Sequence, residues 1–414
     1  MTSPRHAAVL GGNRIPFARA NGPYATESNQ AMLTAAIDGL VARFSLQGEE
    51  IDEVVAGAVL KHARDFNLTR EAVLGSQLAS TSPAYDIQQA CDTGLEAAVL
   101  VANKIALGQI EVGIAGGTDT ASDAPVGLNE DLRKVLMEAR RAKSAGQRAK
   151  LIGKLRPSQI VPDIPRNAEP RTGLSMGEHA AITAKEWNVG REAQDDLAAA
   201  SHQRLAAAYE RGFFDDLVTP YAGLERDQNL RPDSSVEKLS KLKPVFGEGE
   251  AATMTAGNST PLSDGAAVVL LASDEWAAAH NLPVLAHITH VQTAAVDYVN
   301  GGEGLLMAPV RAVPKLLEKA GLTLQDFDFY EIHEAFASQV LATLAAWEKD
   351  GLGTIDRAKL NVNGSSLAAG HPFAATGGRI VATLAKLLAE KGSGRGLISI
   401  CAAGGQGVVA VMER

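Results

Sequence analysis

Short apolar strands alternate with helices along most of this 414-residue chain, and glycine pairs often follow the strands. An apolar strand at residues 6–10 runs into Gly11-Gly12, and apolar residues at helical spacing predict a helix over 29–44. The alternation continues with predicted strands at 54–59 and 112–115 and predicted helices at 71–78 and 94–107. This pattern predicts an α/β fold, with a mostly parallel sheet that helices cover on both faces.

The middle of the chain departs from this alternation. Residues 121–246 predict helices and polar loops with many charges, before a buried strand returns at 265–271. The last third repeats the opening pattern, with strands at 283–291, 328–332, 396–401 and 407–412 and helices at 312–320 and 377–390. We therefore predict a first part at 1–120 plus 247–275, an inserted domain at 121–246, and a last part at 276–414.

Composition and charge restrict the function. The apolar runs at residues 7–10 and 266–272 are too short for a signal-peptide core or a membrane span, so we expect a soluble, cytoplasmic protein that is not transmembrane. A formal charge of −9 argues against a nucleic-acid partner. The two cysteines, Cys91 and Cys401, lie far apart in a chain without an export signal, so free thiols are expected rather than a disulfide.

One segment has the opposite charge. Residues 133–156 contain nine Lys or Arg and a single acid, Glu138. Apolar residues near helical spacing predict an amphipathic helix or helix pair there. A solvated helical face, or a positive rim that attracts phosphates, fits the same residues.

Cys91 is the first candidate for chemistry. It lies in Gln88-Gln-Ala-Cys-Asp-Thr-Gly94, just before an alanine-rich helix, which predicts a position in the first helical turn. The helix dipole there favours loss of the thiol proton. A buried structural cysteine is the alternative, since free cysteine is among the most buried residue types.

Two histidines and the second cysteine lie in similar surroundings. His371 lies in a loop of mostly Gly, Ala, Ser and Asn, which lets a substrate approach the backbone closely. Cys401 ends an apolar strand and opens Ala-Ala-Gly-Gly-Gln-Gly407, whose amides are suited to bind an oxyanion. His333 follows a predicted strand. Taken singly, each residue also fits ordinary packing or a turn.

Taken together, the blocks around Cys91, His333, His371 and Cys401 resemble the thiolase family in their order and spacing. The resemblance runs from about residue 6 to the C-terminus. The block at 255–265 resembles the thiolase segment that lines the pantetheine channel, and the block at 14–17 resembles the opening signature. The His333 and His371 blocks look most like the β subunit of the fatty-acid oxidation trifunctional complex and its bacterial relatives.

The resemblance implies a thiolase fold, with two similar βαβαβαββ halves stacked as a five-layered α-β-α-β-α core and a helical inserted domain. It implies that Cys91 is the nucleophile, that His371 accepts its proton, and that Cys401 is the acid/base at carbon. His371 Nε2, with a water held by His333, resembles the hole for the enolate oxygen. The backbone amides of Cys91 and Ala403 resemble the hole for the tetrahedral intermediate.

The substrates and partners follow from the same resemblance. Coenzyme A and acyl-CoA are expected as substrates, with no permanently bound cofactor and no metal. The expected coenzyme A contacts are Ser259 and Thr260 on the pantetheine arm, Met176, Phe336, and Arg231 near the nucleotide. We expect a homodimer or tetramer active in fatty acid β-oxidation, and residues 133–156 as a contact for a hydratase/dehydrogenase α subunit.

Two positions depart from the family pattern. Asp92 follows the nucleophile where thiolases usually have a small uncharged residue, and a carboxylate there opposes thiolate formation if it faces inward. Ser365 replaces the second glycine before the histidine loop. Two alternatives therefore stay open at this point: a non-catalytic acyl-CoA-binding or scaffolding subunit, and a ketoacyl synthase of the same fold, although Cys401 argues against the synthase.

Overall fold

The computed structural model describes residues 5–249 and 252–414. Labelled in chain order, the strands are β1 Ala7–Arg14, β2 Ala18–Arg19, β3 Glu53–Ala56, β4 Ala84–Asp86, β5 Val112–Asp119, β6 Pro244–Phe246, β7 Met254–Thr255, β8 Ser263–Ala272, β9 Ala286–Ala295, β10 Phe329–Ile332, β11 Arg395–Ala402 and β12 Gln406–Glu413. The α-helices are α1 Asn29–Phe44, α2 Leu68–Gly75, α3 Thr93–Ala106, α4 Glu130–Arg141, α5 Ala145–Ile152, α6 Met176–Glu186, α7 Arg191–Glu210, α8 Val236–Ser240, α9 Asp274–Ala279, α10 Ala308–Ala320, α11 Ala337–Lys349, α12 Ser366–Ala369 and α13 Ala375–Lys391.

The large sheet consists of two similar parts. Its strand order is β10-β11-β12-β9-β1-β8-β5-β3-β4, and β1 and β9 join the parts through an antiparallel pairing. In the first part, β3 and β5 pair in parallel, and antiparallel pairings then join β5 to β8 and β8 to β1. In the second part, β10 and β11 pair in parallel, and antiparallel pairings then join β11 to β12 and β12 to β9. In the second part, a parallel bridge between Tyr330 of β10 and Leu360 takes the place that the β3–β4 pairing has in the first part. The order of pairing is therefore repeated in the two parts.

Our prediction that the sheet is mostly parallel is wrong. Three pairings of the large sheet are parallel, and the others are antiparallel. Strands β11 and β12 are antiparallel because the turn between them is too short for the crossover that a parallel pair requires. The α/β class itself is confirmed, because helices cover both faces of both parts.

Three apolar clusters define the layers. The outer cluster of the first part lies under α1 and α2, and the outer cluster of the second part lies under α10 and α11. The third cluster joins residues of α3 and α13 to both parts of the sheet, so these two helices form the central layer. Burial of these side chains provides the main driving force for folding, at about 25 cal/mol per Å² of apolar surface. The result is the five-layered α-β-α-β-α arrangement.

The strand predicted at residues 6–10 extends farther than expected, through Gly11-Gly12. β1 continues through both glycines to Arg14. A Cβ added at Gly12 would lie 2.6 Å from Cβ of Ala382, so the missing side chain allows α13 to approach the strand. Glycine here serves close packing rather than a turn.

The segment between β5 and β8 contains mostly helices. α6 and α7 pack against α11, and α7 also packs against α12. α4 and α5 pack on each other, and nearly all of their side chains are exposed. Within residues 5–249 and 252–414, no helix is both long enough and apolar enough to cross a bilayer.

Candidate active site

The site begins where α3 and α13 meet at their N-termini. A Cβ added at Gly377 would lie 2.0 Å from the backbone nitrogen of Leu95, so both helices require glycine at this contact. Asp119, at the end of β5, accepts a hydrogen bond of 2.9 Å from the N–H of Ala374. The same carboxylate accepts hydrogen bonds from two amides that follow β3. These contacts bring the loop before α3 beside the loop before α13.

Cys91 lies in a short 3₁₀ turn, Ala90–Asp92, and not in the first turn of α3 as predicted. Ala90 has a φ of 50°, in the left-handed region that non-glycine residues rarely adopt. Thr93 stabilises this turn, because its hydroxyl donates to the carbonyl of Ala90 at 2.7 Å and accepts from the N–H of Gln89 at 2.9 Å. The thiol therefore lies in a strained turn that precedes the first residue of α3.

The lowered pKa that we predicted for Cys91 is also wrong. Loss of solvent around the sulfur raises its pKa to about 12, and the charges of Asp92 and Asp119 raise it further. Backbone N–H groups of Ala403 and of Cys91 itself donate toward the sulfur and act in the opposite direction. The resting thiol is therefore protonated, and two amides already point at it.

Cys401 lies at the end of β11, which contacts the 90–92 turn. Its side chain is buried in an apolar cluster that also contains Met254, Leu306 and Phe336. Burial raises the pKa of this thiol well above its usual value, and the nearby Cys91 and Asp92 raise it further. Both cysteines are free, and the contact between β11 and the 90–92 turn places the two thiols in one site.

The two histidines lie next to each other. Their ring centroids are 4.2 Å apart, and both rings are buried. His333 continues the register of β10 on β11, because its N–H donates to the carbonyl of Ser399 at 2.9 Å, two residues before Cys401. The N–H of His371 donates to Oγ of Ser263 at 3.2 Å. The strands and loops therefore bring both imidazoles to the edge where Cys401 lies.

One nitrogen of each ring is hydrogen-bonded and the other is free. Nδ1 of His371 lies 2.6 Å from Oγ1 of Thr376, and Nδ1 of His333 lies 2.8 Å from Oγ of Ser366. Both Nε2 atoms are buried without a partner among the described residues. Burial and the charge of Arg379 lower the pKa of His371 to about 3, and burial lowers that of His333 well below its usual value. Both rings are therefore neutral near pH 7.

Asp92, the departure from the family pattern, is fully buried. Neither carboxylate oxygen has a partner among the described residues. Burial and the charge of Glu96 raise its pKa to about 8. Its carboxyl is therefore mostly neutral at pH 7, so it opposes ionisation of the Cys91 thiol less than the sequence led us to expect.

Sequence reasoning missed several groups around these residues. Glu169, in the segment before α6, accepts from the N–H of Gly404 at 2.7 Å and from the hydroxyl of Tyr298 at 2.8 Å. It thereby fixes the turn that presents the N–H of Ala403 to the sulfur of Cys91. Arg379 donates to Oγ of Ser366, which contacts His333. The only local signal for Arg379 in the sequence is that its charge interrupts the apolar pattern of α13.

The candidate coenzyme A contacts fall into two groups. Ser259 and Thr260 lie in an extended segment beside Phe336, and Thr260 donates from its N–H to the carbonyl of Ala335 at 3.1 Å. The hydroxyl of Ser259 is buried and has no partner among the described residues. Met176, at the start of α6, packs in the same cluster as Phe336 and Cys401. Four of the five predicted residues therefore surround the site.

Arg231 is the fifth candidate. Its side chain is exposed and donates to the backbone carbonyls of Gln228 and Leu230, and its N–H donates to Nδ1 of His202. These contacts lie near α7 rather than beside the 259–260 segment.

Comparison with known proteins decides the family. Residues 7–275 match the family described as "Thiolase, N-terminal domain", and residues 282–414 match "Thiolase, C-terminal domain". The chain belongs to the thiolase family. Its membership makes it an acyl-CoA C-acyltransferase, which confirms the activity that the sequence predicted.

Individual thiolases agree over the whole length. The chain is 37% identical to a 3-ketoacyl-CoA thiolase of Yersinia pestis over 98% of this chain and 96% of that protein. The Bacillus anthracis acetyl-CoA acetyltransferase superimposes with a TM-score of 0.85 at 31% identity, and the human mitochondrial 3-ketoacyl-CoA thiolase with 0.84 at 29%. Each structural match covers 100% of both chains. The five-layered fold is thus the fold of these thiolases.

Proposed function

We propose that this thiolase cleaves 3-ketoacyl-CoA by thiolysis in a ping-pong reaction, with Cys91 as the acyl carrier. The observation that carries the proposal is the grouping of Cys91, Cys401, His333 and His371. Both Nε2 atoms are buried there, and no described residue bonds to them. The Cys91 thiol passes its proton to Nε2 of His371 as the sulfur bonds to the keto carbon. The amides of Cys91 and Ala403 stabilise the resulting oxyanion.

The carbon–carbon bond then breaks, which leaves an acyl thioester on Cys91 and the enolate of acetyl-CoA. Nε2 of His371, now protonated, and His333 stabilise the enolate oxygen, and His333 acts through a bound water. The Cys401 thiol donates its proton to the enolate carbon, so acetyl-CoA leaves. The Cys401 thiolate takes the proton of an incoming coenzyme A thiol, which attacks the thioester and releases the shortened acyl-CoA. His371 returns its proton to Cys91.

The same steps in reverse perform a Claisen condensation. The similarity to 3-ketoacyl-CoA thiolases favours the degradative direction and a role in β-oxidation. The test is turnover of acetoacetyl-CoA and of longer 3-ketoacyl-CoA thioesters with coenzyme A, followed as loss of the ketoacyl thioester. Higher kcat/KM for long chains supports degradation. Correctly folded protein that turns over none of them would instead favour a non-catalytic acyl-CoA-binding subunit.

The pantetheine arm binds, in this proposal, between the 259–260 segment and the Met176–Phe336 cluster. The free, buried hydroxyl of Ser259 supports this position, because a buried hydroxyl without a partner costs about 1–3 kcal/mol until a ligand bonds to it. Replacing Ser259 by Ala should raise the KM for coenzyme A several-fold and leave the acyl-Cys91 adduct intact. Arg231 is expected at the nucleotide end, and Arg231→Ala should affect only substrates that carry the 3′-phosphoadenosine.

The chain is also proposed to assemble as a homodimer or tetramer and to contact a hydratase/dehydrogenase α subunit through residues 133–156. Support comes from α4 and α5, where basic residues lie beside exposed Leu136, Met137 and Ile152. Charge reversal at Arg140 and Arg141 should abolish co-purification with such a subunit. Binding of the unmodified chain to anionic vesicles, or a changed KM for coenzyme A in the variant, would favour a membrane or the substrate phosphates instead. Light scattering measures the oligomer.

A further inference from the structure

Arg379, Ser366 and His333 form a buried hydrogen-bonded chain behind the site. Nη2 of Arg379 donates to Oγ of Ser366 at 3.0 Å, and the same Oγ lies 2.8 Å from Nδ1 of His333. The three side chains are buried. Arg379 also donates to the neighbouring Ser365 at 3.1 Å, and that serine makes no contact with His333 in the described hydrogen bonds.

The direction of each hydrogen bond follows from the chemistry of the groups. A guanidinium has donors and no acceptor, so Ser366 Oγ must accept from Arg379. The hydroxyl proton of Ser366 needs an acceptor, and among the described residues Nδ1 of His333 is the acceptor that Oγ reaches. Nδ1 therefore carries a lone pair. A neutral imidazole has a single N–H, which must then lie on Nε2.

We propose that Arg379 and Ser366 are positioning residues that hold His333 as the Nε2–H tautomer, so that this ring presents a donor to the site. The inference rests on the role proposed above for His333 as a donor toward the enolate oxygen. With the opposite tautomer, Nε2 would accept a hydrogen bond from the bound water instead of donating to it, and this water would be a weaker donor toward the enolate oxygen.

His371 provides the contrast. Its Nδ1 contacts Thr376, whose hydroxyl receives no guanidinium donor in the described hydrogen bonds. Thr376 is therefore free to accept from Nδ1–H, which leaves the Nε2 lone pair that must receive the Cys91 proton. The two adjacent rings need opposite tautomers at rest, and Arg379 is the group that distinguishes them. Buried Glu331 and Glu334 lie near Arg379 and raise the pKa of its guanidinium, against the effect of burial.

The tautomer of His333 can be determined by NMR, without turnover of a substrate. In protein labelled with ¹⁵N-histidine, the imidazole nitrogen shifts of His333, assigned by comparison with His333→Asn, should show Nε2–H in the unmodified enzyme. Ser366→Ala should move the proton wholly or partly to Nδ1, whereas Ser366→Thr, which keeps the hydroxyl, should retain Nε2–H. Ser365→Ala is the matched control and should leave the shifts unchanged. An Nδ1–H form in the unmodified enzyme, or unchanged shifts in Ser366→Ala, overturns the proposal.

Kinetics then separates positioning from general damage. Thiolysis passes through the enolate, whereas exchange of labelled coenzyme A into acetyl-CoA needs only the acyl-Cys91 step. Ser366→Ala should lower kcat for thiolysis about tenfold or more and change the exchange rate less than about twofold. Equal loss of both rates contradicts a positioning role. Because the shifts report the tautomer directly, failure of the proposed thiolysis mechanism would leave the tautomer result intact.

Discussion

The backbone N–H of Ala403 points at the sulfur of Cys91, from the turn that follows Cys401. This contact joins the first and last thirds of the chain at the atom proposed to carry the acyl group. Glu169 fixes the same turn through Gly404, so three distant segments determine where the amide lies.

Cys401 is proposed to move a proton at carbon and not to carry the acyl group. Cys401→Ala should therefore still form the acyl-Cys91 thioester, although exchange of coenzyme A into acetyl-CoA should slow, because Cys401 also takes the proton of the incoming coenzyme A thiol. Thiolysis should fall by about 10²–10⁴-fold, because proton transfer to the enolate loses its donor. Exchange of the acetyl-CoA methyl protons with deuterated water, measured by mass spectrometry, should be lost as well. Retained methyl exchange would assign the acid/base role to another group.

Cys91 and His371 should form a neutral pair at rest, because burial raises the pKa of the thiol to about 12 and lowers that of the imidazole to about 3. Only the thiolate reacts with iodoacetamide, so its fraction limits the rate. The rate constant for alkylation of Cys91 should rise about tenfold per pH unit from pH 6 to 9. A plateau across this range would indicate a thiolate–imidazolium pair. Peptide mapping, with Cys91→Ala as control, identifies the alkylated residue.

Asp92 should make the protein less stable as the pH rises. Its folded pKa is raised to about 8 by burial, above the value of about 3.9 in an unfolded chain. Between these two values the folded state binds more protons, so the free energy of unfolding falls with rising pH. Asp92→Asn removes this dependence, so the gain in its free energy of unfolding over the unmodified protein should be larger at pH 8 than at pH 5 by more than about 1 kcal/mol.

Urea unfolding of both proteins at pH 5 and pH 8 measures the effect. Glu96→Gln is a useful comparison, because removal of its charge should lower the pKa of Asp92 and reduce the difference. Equal pH dependence in Asp92→Asn and the unmodified protein would mean that the Asp92 carboxyl is solvated or paired.

Contact between α3 and α13 should depend on Gly377. An added Cβ would lie 2.0 Å from Leu95 N and 2.6 Å from the carbonyl carbon of Gly94, both backbone atoms that cannot move independently. Gly377→Ala should therefore destabilise the fold by about 3 kcal/mol or more and separate Cys91 from His371. Gly146→Ala, on exposed α5, meets nothing within 4 Å and should stabilise by about 0.5–1 kcal/mol. Thermal unfolding compares the two variants.

Local patterns predicted the elements better than their ends. The predicted helix at 29–44 coincides with α1, because Ser28 caps its start and Ser45 ends it in the left-handed region. The predicted strand at 54–59 is shorter, Glu53–Ala56, because the amides of Val59 and Leu60 donate to the carboxylate of Asp119 instead of to a neighbouring strand. Strand β9 extends to Ala295, beyond the predicted residue 291, because pairing with β12 continues. Tertiary contacts set these boundaries.

In the site, too, the residues were predicted better than the long-range contacts that surround them. Glycine-rich turns and the family resemblance pointed to Cys91, His333, His371 and Cys401, which do converge. The sequence could not show that the loss of solvent around Cys91 outweighs any helix-dipole effect on its thiol, because this loss comes from segments distant in sequence. Glu169 was missed for the same reason. It lies in a polar segment without periodicity, and its importance arises only from long-range contacts.

The acyl-enzyme is the most direct test of the proposed chemistry. The protein would be mixed with a 3-ketoacyl-CoA in the absence of free coenzyme A, quenched in acid, and digested for mass spectrometry. The mechanism predicts one acyl group, shorter by two carbons, on the peptide that contains Cys91, and its loss on addition of coenzyme A. An adduct on Cys401, or turnover that continues in Cys91→Ala, would contradict it.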